Sequence, residues 1–294
     1  MIAVPRHDCT APGVLTATNA VDAAAYNTGT AYALNDVVSY AGYNYTCIQA
    51  PSTGNTPDTS PLWWTKGDPI NSLAMFDASV QTATSRVGGL SWTLEVGRFT
   101  CIGLMGLVGQ SVTFTTEDGA TLIETETRTL QTSDGTYYGF CFEPLGQTDS
   151  AVFTGLLSNP TCSVTISIAT APASVAECGL CVIGKQVFVG YAQYGFANPL
   201  EDRGRYYLDT LKNPVAVERG YSKGASGTLV VERTAYNRLM KFLSDHIGEP
   251  MLWVAAPEQN DLVGALVFGR YTGAVPVIES YSQITLSLEI AGNR

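Results

Sequence analysis

The 294-residue chain is 45% hydrophobic and only 14% charged, with 29 Gly, 15 Tyr and a formal net charge of −10 at pH 7, which excludes coiled coil and intrinsic disorder. Acidic side chains outnumber basic ones 15 to 6 over residues 1–185 and 11 to 10 over 186–294, so phosphate backbones are repelled and neither nucleic-acid binding nor a basic membrane contact is expected. Abundant Gly, Tyr, Thr, Ser and Val favour short strands and tight turns; the expected fold is all-β with one helix, a small aromatic-rich β module followed by two β-sandwich-like domains.

In chain order, Met1-Ile2-Ala3-Val4-Pro5-Arg6 lacks the apolar run of a signal peptide, and the longest apolar stretch, Cys101–Val108, is too short and glycine-interrupted to span a bilayer. Assembly in a cytoplasm is therefore expected, with His7 on an untethered N-terminus. Composition shifts at Pro57–Pro61 with Gly67–Asn71, and again at Ala171–Glu177, divide the chain into regions 1–70, 71–185 and 186–294. Strand patterns over Leu90–Val96, Ser111–Thr116, Thr121–Thr129, Tyr137–Glu143 and Thr161–Ala169, separated by turns such as Glu117-Asp118-Gly119, predict a jelly-roll-like sandwich in the second region. In the last of them Val164, Ile166 and Ile168 alternate with Ser163, Thr165 and Ser167, the mark of a half-buried strand.

The third region carries the one predicted helix, from Thr234 as N-cap to about Ile247. Tyr236, Leu239, Met240, Leu243 and Ile247 recur on one face, and Gly248 and Pro250 supply the stop. A period-2 strand follows near the C-terminus, with Ile284, Leu286, Leu288 and Ile290 facing one way.

The seven cysteines, scattered at 9, 47, 101, 141, 162, 178 and 181, do not form a disulfide framework. Cys178-Gly179-Leu180-Cys181 has the spacing of half a zinc site, but no second pair or nearby His completes it, and a strand setting makes both thiols core packing. His7 and His246 lie beside no nucleophile motif. Glu95, Glu124 and Glu126 sit in strand patterns where outward solvation accounts for them. Glu201-Asp202-Arg203-Gly204-Arg205 reads as a mixed-charge turn suited to pairing across a subunit interface. No catalytic residue, metal site or cofactor is expected.

Residues 26–67 present Tyr26, Tyr32, Asn35-Asp36-Val37-Val38-Ser39-Tyr40, Gly42-Tyr43-Asn44-Tyr45-Thr46-Cys47 and Trp63-Trp64-Thr65-Lys66-Gly67. This order resembles the small carbohydrate-binding modules of the chitin-binding type, with Asn35 where that family has Gly. Pyranose rings stack their C–H faces on exposed aromatics, and Tyr26, Tyr32, Tyr43 and Trp64 are the candidate carbohydrate-binding residues. Tyr40, Tyr45 and Trp63 are assigned to the module's core, because so short a segment buries little surface otherwise.

The segment Asn71-Ser72-Leu73-Ala74-Met75-Phe76-Asp77 is similar to the junction that follows such modules in bacteriophage tail proteins. The order Asn198-Pro199-Leu200-Glu201-Asp202, Arg219-Gly220-Tyr221-Ser222-Lys223, helix, Gly248-Glu249-Pro250, Trp253 and closing strand resembles their C-terminal region. The resemblance implies a structural protein of a siphovirus-type tail tip or baseplate, in the virion. Its partners would be other tail proteins, copies of itself in a ring, and host surface polysaccharide. The module alone would suggest a secreted chitin- or polysaccharide-binding protein without catalytic activity.

Overall fold

In the computed structural model three sheets stack, and the helix covers the last of them. The structure describes residues 1–132, 136–142, 146–202, 204–208, 210, 212–217, 221–256, 266–278 and 283–293. The outermost sheet has five antiparallel strands, in the order Thr121–Thr129, Ser111–Asp118, Ser163–Ala169, Leu90–Leu94 and Leu15–Thr18. Beneath it lies a four-stranded sheet, ordered Ser150–Thr154, Cys101–Val108, Val175–Gly184 and Thr84–Val87. Trp92, Phe114 and Ile166 of the first meet Ile102, Leu104 and Cys181 of the second in one core. The outward face of the five-stranded sheet is lined by hydroxyls: Thr93 and Thr165 share a hydrogen bond at 2.9 Å, and Thr113 and Thr127 one at 2.8 Å, cross-strand pairs that reinforce the ladder.

The third sheet is seven-stranded, running Val187–Phe188, Ile2–Pro5, Met251–Val254, Leu266–Ile278, Gln283–Gly292, Ala225–Glu232 and Tyr191–Ala192. One face packs on the back of the four-stranded sheet, where Ile2, Val4, Leu252 and Phe268 meet Cys101, Met105, Leu180 and Val182. The other face, through Ala3, Trp253, Leu229 and Leu286, receives Leu239 and Leu243 of the helix Arg233–Asp245. The four-stranded sheet is thus covered on both sides. Five consecutive residues of Cys101–Val108, Cys101 to Met105, are buried, as a strand with two dry faces requires.

A glycine pair lets that middle sheet serve both cores. Gly106 adopts φ +66 beside Gly179, and across them the pleat turns over: Met105 and Leu180 point to one core, Leu107 and Cys178 to the other. A Cβ on Gly179 would meet the Val80 carbonyl oxygen at 2.5 Å, so the close backbone approach here requires glycine between Cys178 and Leu180.

Two sequence expectations are corrected. The N-terminus is not untethered: Ile2–Pro5 is an interior strand of the C-terminal sheet, paired with Met251–Val254 and Val187–Phe188, and Leu15–Thr18 edges the five-stranded sheet. Region 1–70 is accordingly divided among all three parts of the molecule, and its module proper is the three-stranded sheet Val37–Tyr40, Tyr43–Cys47 and Trp64–Pro69. The other correction concerns Tyr137–Glu143, read as a strand for its aromatics. Residues Tyr137–Phe142 form a six-residue helix, in which Tyr138 and Phe142 meet at 5.2 Å between ring centroids, the i,i+4 contact that helical but not extended spacing provides; residue 143 lies outside the described residues. The long helix begins one residue before the expected cap, with Glu232 at the N-cap position. Ile247 is exposed beyond its end.

Candidate functional site

The module's aromatics organise around one buried indole. Its first hairpin turns through Ala41 (φ +48) and Gly42 (φ +81), the backbone of a two-residue turn that matches strand twist. Asn35, where the resembled modules carry Gly, adopts φ +70, a conformation that Asn tolerates better than other side chains. Trp64 opens the third strand directly opposite Cys47, and both are buried with Val38 and Tyr45.

Trp64 is 2% exposed, its Nε1 donates to the Asn55 carbonyl at 2.8 Å, and Tyr26 and Tyr32 pack against it with centroids at 5.9 and 5.2 Å. It is therefore a core residue, and neither of its faces is open to a sugar. Trp63, expected in the core, is the half-buried member of the pair. Trp63 lies in the turn before the strand and packs against the same cluster from outside, whereas Trp64, the first strand residue, is buried opposite Cys47. Tyr45 is buried as expected, and Tyr40 is partly so.

Tyr26 and Tyr32 stack on one another at 5.6 Å and 25°, which leaves each with at most one open face. The Tyr32 hydroxyl accepts from the Asn27 amide at 2.8 Å, fixing its ring. Burial, reinforced by the neighbouring Tyr32, pushes the Tyr26 phenol above its ordinary range. Tyr43 stands apart at the hairpin, 37% exposed, with Lys66 Nζ 3.4 Å from its ring centroid. Three of the four sequence candidates thus form one cluster, and the fourth lies outside it.

The junction after the module has a definite structural task. Asn71 Nδ2 donates to the carbonyls of Val21 and Ser85, and its Oδ1 accepts from the Ser85 amide. The Ser72 amide and hydroxyl both donate to Asp22. Ala74–Phe76 then form a 3-10 turn that drives Met75 and Phe76 into the sandwich core. These bonds tie the module's entry and exit to the edge of the sandwich.

Burial pushes the thiols of Cys9, Cys101 and Cys178 up to about 12, and that of Cys181 well above its ordinary value. All four are neutral packing groups near pH 7. Among the described residues no group of three or more His, Cys, Asp and Glu side chains is arranged to hold a metal. Glu124 and Glu126 do not simply face solvent: Glu124 accepts the Leu157 amide, and Glu126 pairs with Arg128 at 2.9 Å. His7 is bound through its backbone to Ile183, and His246 Nδ1 lies 2.9 Å from the Phe242 carbonyl at the helix end. In the mixed-charge turn, Asp202 accepts from the Gly204 amide and the Tyr206 hydroxyl, which lowers its carboxyl below the usual range; Arg203 lies outside the described residues.

A concavity of about 210 Å³ opens between the sandwich and the C-terminal sheet, lined by residues running from Val80 to Asn293. Nothing in the linear pattern marks it, because its walls come from segments that only the sheet stacking brings together. Comparison with protein-family models and with curated proteins finds no match to this chain.

Proposed function

We propose that the chain is a structural component of a bacteriophage tail tip or baseplate. In this reading region 186–294 contacts neighbouring copies and other tail proteins in a ring, and the module is turned toward host surface polysaccharide. The observation that carries the proposal is a slender β-ribbon: Leu200–Asp202 pairs with Tyr221–Lys223, and Arg205–Leu208 with Pro214–Val217. Its large side chains lie in the open, with Leu200 69%, Tyr206 70% and Leu208 64% exposed. A two-stranded ribbon is marginal in water by itself, and exposed apolar side chains concentrated on one projection mark a protein contact. The near-neutral balance of this region lowers the repulsion between copies of an acidic chain.

The test uses the full chain with Tyr206→Ser and Leu208→Ser combined. Sedimentation is expected to give an oligomer for the unsubstituted protein and a monomer for the variant, with both melting alike. A monomer for the unsubstituted protein at every concentration, together with its absence from purified tailed particles, would count against the proposal.

A further inference from the structure

We infer that the concavity between the sandwich and the C-terminal sheet is a binding site for a single neutral pyranose unit. Val80, Met105 and Phe268 give it an apolar lining, and Tyr221 adds a half-exposed aromatic ring with Lys223 Nζ 6.0 Å from one face. Gln81, Asp149, Lys223 and Asn293 add polar side chains to the lining. Gly106, where the strand pleat turns over, also lines it.

Size and charge together select the ligand. At about 210 Å³ the space is smaller than the roughly 300–1,000 Å³ of sites for drug-sized molecules, and it suits one ring. Lys223 Nζ lies 3.9 Å from Asp149 Oδ2, so the two charges offset each other and the site attracts neither an anion nor a cation strongly. A purely apolar guest would strip water from the charged Asp149 and Lys223 without replacing it, which is costly. A pyranose answers both demands: its C–H face covers the apolar lining and Tyr221, and its hydroxyls meet carboxylate, amide and ammonium groups. The site also joins elements from the two large layers, so occupancy would brace the ribbon strand Tyr221–Lys223 against the sandwich.

The inference rests on the polysaccharide-binding part of the proposed function and adds the cleft to the module as a second place for a sugar unit. The experiment is saturation-transfer NMR on the full chain with methyl glycosides of glucose, galactose, mannose and N-acetylglucosamine. At least one is expected to bind. Tyr221→Ala and Asp149→Ala should each weaken binding about tenfold, the equivalent of one good contact. Tyr221→Phe should keep it, and Leu122→Ala, at an exposed position on the outermost strand of the five-stranded sheet, should leave it unchanged. Both altered positions are exposed, and unchanged melting of each variant checks that it folds. Binding that survives both Tyr221→Ala and Asp149→Ala would overturn this inference and leave polysaccharide binding standing. Failure of every glycoside to bind the unsubstituted chain would overturn both.

Discussion

A Cβ placed on Gly103 would lie 2.1 Å from Cδ2 of Leu252, so the C-terminal sheet rests its leucine in the gap left by a missing side chain in the middle sheet. Glycine in a strand commonly marks such an approach. Gly103→Ala is expected to cost about 1–3 kcal/mol by overpacking, and Leu252→Ala about 2–5 kcal/mol by leaving a cavity. The double variant should be less destabilised than the sum, because the new methyl fills part of the void. Urea denaturation of the three variants checks this; simple additivity would show that the two residues do not share the contact.

The strand Ile2–Pro5 should be indispensable to the C-terminal sheet. Ala3 and Val4 are wholly buried between two cores, and the strand lies between Val187–Phe188 and Met251–Val254. Val4→Ala is expected to cost about 2 kcal/mol. Residues 186–294 expressed alone, without this strand, should show no cooperative thermal transition by calorimetry.

Within the module, two aromatics that look alike in sequence should behave differently. Trp64→Ala should cost about 3–5 kcal/mol and raise hydrogen exchange throughout residues 37–69. Tyr43→Ala, which gives up only an exposed ring and its contact with Lys66, should cost less than about 1 kcal/mol. Equal protection in the two variants would contradict the placement of Trp64 in the core.

Asn71→Ala removes three hydrogen bonds that hold the module's entry and exit to the sandwich. A loss of about 2–4 kcal/mol is expected, counting roughly 1 kcal/mol for each bond. Faster exchange of the Ser85 amide, whose acceptor disappears, would localise the effect.

The buried thiols predict alkaline instability. Cys9, Cys101 and Cys178 titrate at about 12 in the folded chain, against about 8.5 unfolded. The unfolded state therefore loses protons first, and the thiols' contribution is complete below about pH 8.5 and declines as pH rises toward 12. The slope approaches about 1.4 kcal/mol per pH unit for each such thiol. Denaturation midpoints measured between pH 8 and 10 should fall, less steeply in Cys178→Ala. A thiol reagent on the native protein should modify Cys141 first, since the other six are buried.

The sequence by itself determined the strands with one wet face and the amphipathic helix. Alternation along Ser163–Ala169 and Gln283–Gly292 reports a single inside and a single outside, and a period of 3.6 with a glycine stop reports one packed stripe, so local pattern and tertiary environment agree there. The stacking of three sheets was decided only by tertiary structure. Cys101–Val108 and Ile2–Pro5 are buried on both faces, which erases alternation and leaves a run that looks like a stray apolar segment. The residue order put Trp63 in the module's core and Trp64 among the sugar-binding candidates, yet the deeply buried one is Trp64, which follows from its register with Cys47, a pairing set across 17 positions of chain. The cleft lined by Val80, Asp149, Tyr221 and Phe268 has no linear signature at all, because a concavity belongs to the space between layers and its residues need share nothing but that space.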